Sequence, residues 1–153
     1  MKIREVMVPE VVSCTDRASL GDAVKLMWER DIGFVPVLAA ETGSLAGVIT
    51  DRDACIAAYF QGKPLWDIPV TSAMSTRVAT CREDAEVDEA ELIMSEFQVH
   101  RLPVIGADGK VCGVVSLNDL AQRAVKDADE ELEEEVALTL GAISHPREAA
   151  AEG

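Results

Sequence analysis

The sequence repeats itself at a spacing of 67 residues, and this repeat constrains the fold more than any other feature. Identical side chains meet when the halves are aligned, as in the pairs Met7 and Met74, Cys14 and Cys81, and Pro36 and Pro103. A repeat of this length is typical of one supersecondary unit used twice, where a single copy cannot bury its apolar face alone. The sequence therefore predicts two similar units within the chain of 153 residues.

Apolar spacing predicts the same series of elements in both units. A short helical lead is followed by a strand, a helix, two strands joined by a polar turn with glycine, and a second helix. Ser19 is expected to cap the first helix of the first unit. The strands are expected at 11–14, 34–38 and a stretch ending at Thr50, and again at 78–81, 101–105 and a stretch ending at Ser116.

The last helix is predicted to continue beyond the second unit. Apolar residues keep a helical period from Leu117 to Leu140, which predicts one helix of about 24 residues that ends at a Gly141 cap. Its far end combines an apolar stripe with an acidic face and is expected to pack on a neighbour in the same or a second chain. The alternative is a solvated helix that frays. Residues 142–153 are expected to be disordered.

These patterns divide the chain into a first repeat at 1–66, a second repeat at 67–126 and an acidic extension at 127–153. The net charge of −14 leaves no basic face for a phosphate backbone, so nucleic-acid binding is not expected. No apolar run has the roughly 18 residues of a membrane span, and the cytoplasm is the expected location. The four cysteines form no C-x-x-C pair, so we expect no metal site and four reduced, mostly buried thiols.

One pattern of seven residues occurs once in each repeat, at 47–53 and at 113–119. It reads Gly, two β-branched residues, a hydroxyl residue, two variable positions and Asp, and it places Thr50 with Asp53 and Ser116 with Asp119 where a strand meets a helix. A hydroxyl followed three residues later by an acid is the outline of a capping box. The alternative is a ligand site, because a helix start binds phosphate and a carboxylate accepts two sugar hydroxyls. Such a site suits a ribose-phosphate.

These two stretches resemble the signature of CBS domains, regulatory repeats named after cystathionine β-synthase. The lead-ins around Met7 and Met74 and the strands around Pro36 and Pro103 are also similar to that family, and the resemblance extends from residue 1 to about 126. It implies an α+β fold of two β-α-β-β-α repeats packed sheet to sheet about a pseudo-twofold axis, a Bateman module in a small stand-alone protein. Such modules often bind adenosine ligands and pair into dimers through their helices.

The resemblance also implies roles for individual residues. Asp53 and Asp119 would each hold a ribose, with Thr50 and Ser116 near phosphate or ribose. The adenine pockets would be lined by polar residues beside apolar strand residues, namely Ser13, Thr80, Val35 and Leu102.

His100 and Arg101 match a pair that in nucleotide-sensing relatives binds the phosphate of the nucleotide held on the opposite repeat, here at Asp53. The alternative is that both are ordinary polar residues at a loop edge. The first repeat has Gly33 and Phe34 at that place, so the sequence predicts one stronger site at Asp53 and a weaker or empty one at Asp119. Arg52 either assists or faces solvent. Asp51 disfavours a triphosphate, which favours AMP or ADP over ATP.

The leading hypothesis is a regulatory module that senses an adenine nucleotide in clefts between the repeats and signals to an unknown protein effector, as a homodimer and without a cofactor. The alternative is a ligand-free dimeric scaffold that uses the acidic C-terminal helix. An enzyme is not expected, because no nucleophile–base arrangement and no Gly-rich phosphate loop occurs in the sequence.

Overall fold

A computed structural model describes residues 1–146 of the chain. Within this range the fold is α+β, with six strands and five α-helices in two successive β-α-β-β-α series and a further α-helix at the end. The predicted fold class and order of elements are therefore confirmed. The strands are β1 (Cys14–Thr15), β2 (Phe34–Leu38), β3 (Leu45–Thr50), β4 (Cys81–Arg82), β5 (Arg101–Ile105) and β6 (Val111–Ser116). The helices are α1 (Leu20–Arg30), α2 (Asp51–Gln61), α3 (Val87–Phe97), α4 (Leu117–Asp127) and α5 (Glu130–Ile143).

The six strands form two sheets of three, in the orders β1-β2-β3 and β4-β5-β6. β1 is parallel to β2, β2 is antiparallel to β3, and β4 is parallel to β5. The turns after β2 and β5 contain Gly43 at φ 72° and Gly109 at φ 78°, a left-handed conformation that glycine adopts without strain. The first strand of each series is shorter than predicted, because pairing begins only at Cys14 and at Cys81.

The chain forms two compact units whose boundaries differ from those of the sequence repeats. The first-repeat unit consists of Glu10–Val78 with Gly106–Val111, and the second-repeat unit consists of Met1–Pro9, Ala79–Ile105 and the described chain from Cys112 to residue 146. The lead-in of the first repeat, residues 1–9, therefore belongs to the second-repeat unit. The lead-in of the second repeat, which ends at residue 78, belongs to the first-repeat unit.

Backbone hydrogen bonds hold each lead-in to the strand that ends at the seven-residue pattern. In the first-repeat unit Val48 and Ser75 exchange two such bonds, of 3.0 and 2.9 Å. In the second-repeat unit Val8 and Val114 do the same, at 2.9 and 3.0 Å. The two lead-ins thus extend β3 and β6 by an isolated bridge each.

This close approach explains the glycine that opens the seven-residue pattern. A Cβ atom at Gly47 would lie 2.7 Å from the Ser75 carbonyl oxygen, and one at Gly113 would lie 2.9 Å from the Val8 carbonyl oxygen. Both distances are too short for a side chain, and the obstacle is backbone that other hydrogen bonds hold in place. Only glycine fits where the lead-in crosses the strand.

Each unit has its own apolar core. In the first-repeat unit the core is built from α1, β2, β3 and the segment before the second lead-in, and in the second-repeat unit from α3, β5, β6, α4 and α5. The fully buried residues include Leu20, Val35, Val37, Ile49 and Ile68 in the first-repeat unit and Ile3, Met94, Leu102, Val104 and Leu120 in the second-repeat unit. Ser19 caps α1 as predicted, since its hydroxyl oxygen accepts from the Asp22 amide at 3.1 Å.

The prediction of one continuous helix from Leu117 to Leu140 is wrong. α4 ends at Asp127, Ala128 has a left-handed φ of 52°, and the Asp129 side chain accepts from the Leu132 amide at 3.1 Å to start α5. The apolar period continues across this break, but a capping aspartate offers the backbone a partner that favours a new helix start.

The acidic extension packs within its own chain. α5 contacts α3 and α4, and Leu132, Thr139 and Ile143 are buried there. The expected C-cap at Gly141 is wrong, because Gly141 lies within α5. The expected disorder from residue 142 onward is wrong for residues 142 and 143, because α5 ends at Ile143. The part of that prediction concerning 147–153 lies outside the described residues.

Glu91 is the notable polar residue of the α3–α5 contact. It is 5% exposed, and its Oε1 atom is buried without a hydrogen-bond partner among the described residues. Burial and, to a lesser extent, the negative charges of Glu135 and Asp88 raise the pKa of this carboxyl to about 7, although a hydrogen bond with the Thr139 hydroxyl opposes the rise. The folded chain therefore holds a carboxylate that is unfavourable at neutral pH.

The glycine argument predicts that Gly47→Ala lowers the free energy of unfolding by about 1–3 kcal/mol, because the lead-in backbone must move away from β3. Gly113→Ala should act in the same way. Gly141→Ala is the control, since a Cβ at that helical position meets nothing within 4 Å. Urea unfolding measures all three, and a Gly47→Ala variant as stable as wild type would refute the close approach.

Replacing Glu91 with glutamine should stabilise the fold at high pH, because the amide removes a buried charge and keeps the side-chain shape. The pKa of about 7 in the fold exceeds the usual 4.5, so the carboxylate destabilises the fold increasingly between these values and by a constant amount above them. The variant should match wild type near pH 4 and exceed it by about 3 kcal/mol at pH 8. Urea unfolding in EDTA measures this, and equal stabilities at pH 8 would contradict it.

Candidate ligand site at the two strand-to-helix corners

The first corner comprises residues 50–53, where β3 ends and α2 begins. Thr50 has the extended backbone of an N-cap residue, and its Oγ1 accepts from the Asp53 amide at 3.1 Å. In return Asp53 Oδ2 accepts from the Thr50 amide at 3.0 Å. The two residues thus form a complete capping box, and that interpretation of the pattern is correct for this corner.

The second corner, residues 116–119, contains the same box between β6 and α4. Ser116 Oγ accepts from the Asp119 amide at 3.2 Å, and Asp119 Oδ2 accepts from the Ser116 amide at 2.8 Å. One further bond is present here, because the Ser116 hydroxyl also donates to Asp119 Oδ2 at 2.6 Å. The cap is tighter than in the first corner.

The two corners differ in what they leave available to a ligand. Within residues 1–146 the Thr50 hydroxyl accepts but has no acceptor for its own hydrogen, and Thr50 is half-buried. Ser116 is 7% exposed and its hydroxyl hydrogen is already used. The first corner therefore has one more hydrogen-bond donor to offer than the second.

Capping and ligand binding do not exclude each other at either corner. The boxes use Oδ2 of Asp53 and of Asp119, whereas the Oδ1 atoms make no hydrogen bond within the described part of the chain. Both carboxylates are half-buried. A carboxylate oxygen that is already oriented by the cap can accept a further bond from outside.

Asp51 adds a second carboxylate to the first corner, and its contact with Gly33 was not evident from the sequence. A Cβ at Gly33 would lie 2.9 Å from Asp51 Oδ2, so the missing side chain of Gly33 makes room for this group. The Asp51 amide donates to the Gly33 carbonyl oxygen at 3.2 Å, which fixes the two segments side by side.

The equivalent place in the second repeat is occupied by His100. Its carbonyl oxygen accepts from the Leu117 amide at 3.0 Å, so its backbone lies beside the second corner. His100 is exposed and Arg101 is half-buried at the start of β5, while Arg52 is exposed on α2. The roles of these three side chains toward phosphate remain predictions.

The residues expected to line an adenine pocket fall into two groups. Ser13 and Thr80 are half-buried and directly precede β1 and β4. Val35 and Leu102 are 0% exposed and belong to the two apolar cores. Their contact with a ligand remains a prediction.

The thiols of Cys14 and Cys81, next to these positions, are not activated as nucleophiles. Burial raises the pKa of Cys14 to about 11, with a smaller contribution from the negative charge of Asp22, and burial raises the pKa of Cys81 to about 12. Both therefore stay protonated at neutral pH. Cys81 is buried, Cys14 and Cys112 are half-buried and Cys55 is exposed, so the expectation of mostly buried thiols is wrong for Cys55.

Among residues 1–146, no helix is long and apolar enough to cross a membrane.

Comparison with known proteins gives a consistent result. The family model for the CBS domain matches this chain twice, at residues 3–58 and 67–126. CBS domain-containing protein YhcV of Bacillus subtilis (strain 168) is 30% identical over 119 residues, which are 78% of this chain and 82% of that protein.

Two solved structures share the fold. The CBS domain pair of protein MJ0100, in complex with 5′-methylthioadenosine and S-adenosyl-L-methionine, has a TM-score of 0.72 at 23% identity. CBSX2 in complex with AMP has a TM-score of 0.71 at 22% identity. Each alignment covers 83% of this chain and 98% of the other.

Proposed function

This chain belongs to the CBS domain family, and from that membership we propose that it is a regulatory module which binds an adenine nucleotide, AMP or ADP. Binding would change its interaction with a partner protein, and the chain itself would catalyse no reaction. The cytoplasm remains the predicted location.

The observation that carries this proposal is the pair of corners with an uncommitted carboxylate oxygen. Asp53 is held by its capping bond to the Thr50 amide, and its Oδ1 atom remains available. Vicinal ribose hydroxyls donate well to such a group, because hydrogen bonds to an ionised acceptor are roughly twice as strong as neutral ones. The start of α2 adds the positive end of a helix dipole, which favours a phosphate nearby.

The first corner is proposed as the stronger site. Its Thr50 hydroxyl can donate to a phosphate or ribose oxygen, whereas the Ser116 hydroxyl already donates to Asp119. Asp51 places a further negative charge beside this corner, which disfavours the extra charge of a triphosphate. That Arg101 binds the phosphate of the nucleotide held by Asp53 stays a prediction from the sequence.

The ligand class has independent support. MJ0100 and CBSX2, which share this fold, were solved with adenosine compounds. The choice of AMP or ADP for this chain rests on Asp51 and not on those structures.

A ligand-free dimeric scaffold is the second candidate, and exposed apolar side chains favour it. α5 leaves Leu138 67% exposed and carries an acidic face, while α1 and α2 leave Trp28, Tyr59 and Phe60 about 80–90% exposed. Such helix surfaces suit a homodimer contact, which the sensor proposal also includes. Nucleotide binding separates the two candidates.

The decisive experiment is calorimetric titration of the full chain with AMP, ADP, ATP and S-adenosylmethionine. We expect one tighter site, with AMP or ADP bound more tightly than ATP. Ligand at a hundred times its dissociation constant should stabilise the fold by about 2.7 kcal/mol.

Asp53→Asn is the sharpest variant, because the amide oxygen can still accept from Thr50 while the charge and one acceptor are lost. It should weaken binding about tenfold or more, and Asp119→Asn should do less. Asp129→Asn is the control, since it removes the same charge from another helix cap outside the corners. Arg101→Ala tests the predicted phosphate contact. Unchanged affinity in Asp53→Asn, or no binding of any adenosine compound, would overturn the proposal.

A further inference from the structure

Three carboxylates from two helices meet in the second-repeat unit. Asp88 and Glu91 lie on α3 and Glu135 lies on α5, and one carboxylate oxygen from each lies within 4.8 Å of the others. Neither helix carries a corner residue. The cluster is therefore separate from the proposed nucleotide site in its residues and in its chemistry.

Glu91 gives this cluster a feature that surface acids lack. Its side chain is 95% shielded from solvent, and the buried Oε1 atom has no hydrogen-bond partner among residues 1–146. A buried acceptor without a partner is costly, and native structures seldom retain one without a reason such as an absent ion. In the described part of the chain, the Thr139 hydroxyl is the one neutral side chain that hydrogen-bonds to the Glu91 carboxyl and opposes the rise of its pKa.

The negative charges around Glu91 make its buried carboxylate still more unfavourable. Asp88 and Glu135 act on it directly, and both are acids. Glu135 in turn is affected by further acids on and before α5, namely Asp129, Glu131 and Glu134. A cation would neutralise this group of carboxylates and at the same time supply the partner that Oε1 lacks.

The donor atoms indicate the class of cation. Carboxylate oxygens are ligands for hard divalent cations. Mg²⁺ demands a near-ideal octahedral geometry and gives up its waters reluctantly, whereas Ca²⁺ accepts flexible sets of carboxylate oxygens, so three carboxylates on two separate helices favour Ca²⁺. We propose that Asp88, Glu91 and Glu135 form a binding site for a divalent cation of the size of Ca²⁺, with water completing its coordination.

Such an ion would fasten the acidic helix to the second repeat. It would join α3 to α5 at the place where their carboxylates otherwise repel each other, and so strengthen the docking of α5. The inference does not rest on nucleotide binding, and the failure of either proposal leaves the other intact.

The test is calorimetric titration of the EDTA-treated, dialysed full chain with CaCl₂ and, separately, with MgCl₂ at pH 8. We expect one Ca²⁺ per chain and weaker binding of Mg²⁺. Thermal unfolding should shift upward by about 5 °C or more when Ca²⁺ is at a hundred times its dissociation constant.

Glu91→Gln should weaken Ca²⁺ binding at least about tenfold, and Glu135→Gln provides a second variant at a less buried position. Glu96→Gln is the matched control, because it removes the same charge from the exposed side of α3. Absence of Ca²⁺ binding would overturn the proposal. So would equal affinity in wild type, Glu91→Gln and Glu135→Gln, which would mean diffuse attraction to an acidic surface.

Discussion

The reciprocal hydrogen bonds between a hydroxyl residue and an aspartate three positions later are the interaction on which the rest of this structure depends. They start α2 directly after β3 and α4 directly after β6, with no intervening loop. Because Oδ2 is fixed by a backbone amide, the direction of the remaining oxygen is fixed as well. The capping box therefore orients the carboxylate oxygen that is proposed to bind the ribose. The interpretation as a cap and the interpretation as a ligand site are compatible.

The glycine of the same pattern connects the corner to the rest of the unit. Gly47 and Gly113 allow the backbone of a lead-in to cross the strand at a distance that no side chain would permit. Each lead-in lies in one unit, whereas the other elements of its own sequence repeat lie in the other unit. In each copy of the seven-residue pattern, the glycine thus allows the lead-in to pack against the strand, and the hydroxyl residue and the aspartate form the corner.

Local periodicity was sufficient to predict most elements, because the helices and strands here have one apolar face and recognisable caps. Features decided by distant contacts were not accessible in this way. The apolar period runs on through Ala128 and Asp129, so it could not show that α5 turns away to pack on α3 and α4. Glu91 and Glu135 are far apart in sequence, and only that packing brings their carboxylates together.

The corners show the same division. Their capping geometry was visible in the sequence as spacing and residue type. The difference between them was not, because it depends on whether a hydroxyl hydrogen is used: the Ser116 hydroxyl donates to Asp119, and Thr50 has no matching bond to Asp53. Burial of Val35 and Leu102 likewise follows from the packing of whole sheets, which a strand pattern alone does not specify.

A crystal structure of the full chain with AMP would test the central claim most directly, since it shows both oxygens of each aspartate at once. The account predicts ribose hydroxyls within hydrogen-bond distance of Asp53 Oδ1, while Asp53 Oδ2 still accepts from the Thr50 amide. A nucleotide bound elsewhere, or one whose binding breaks the capping bonds, would contradict it.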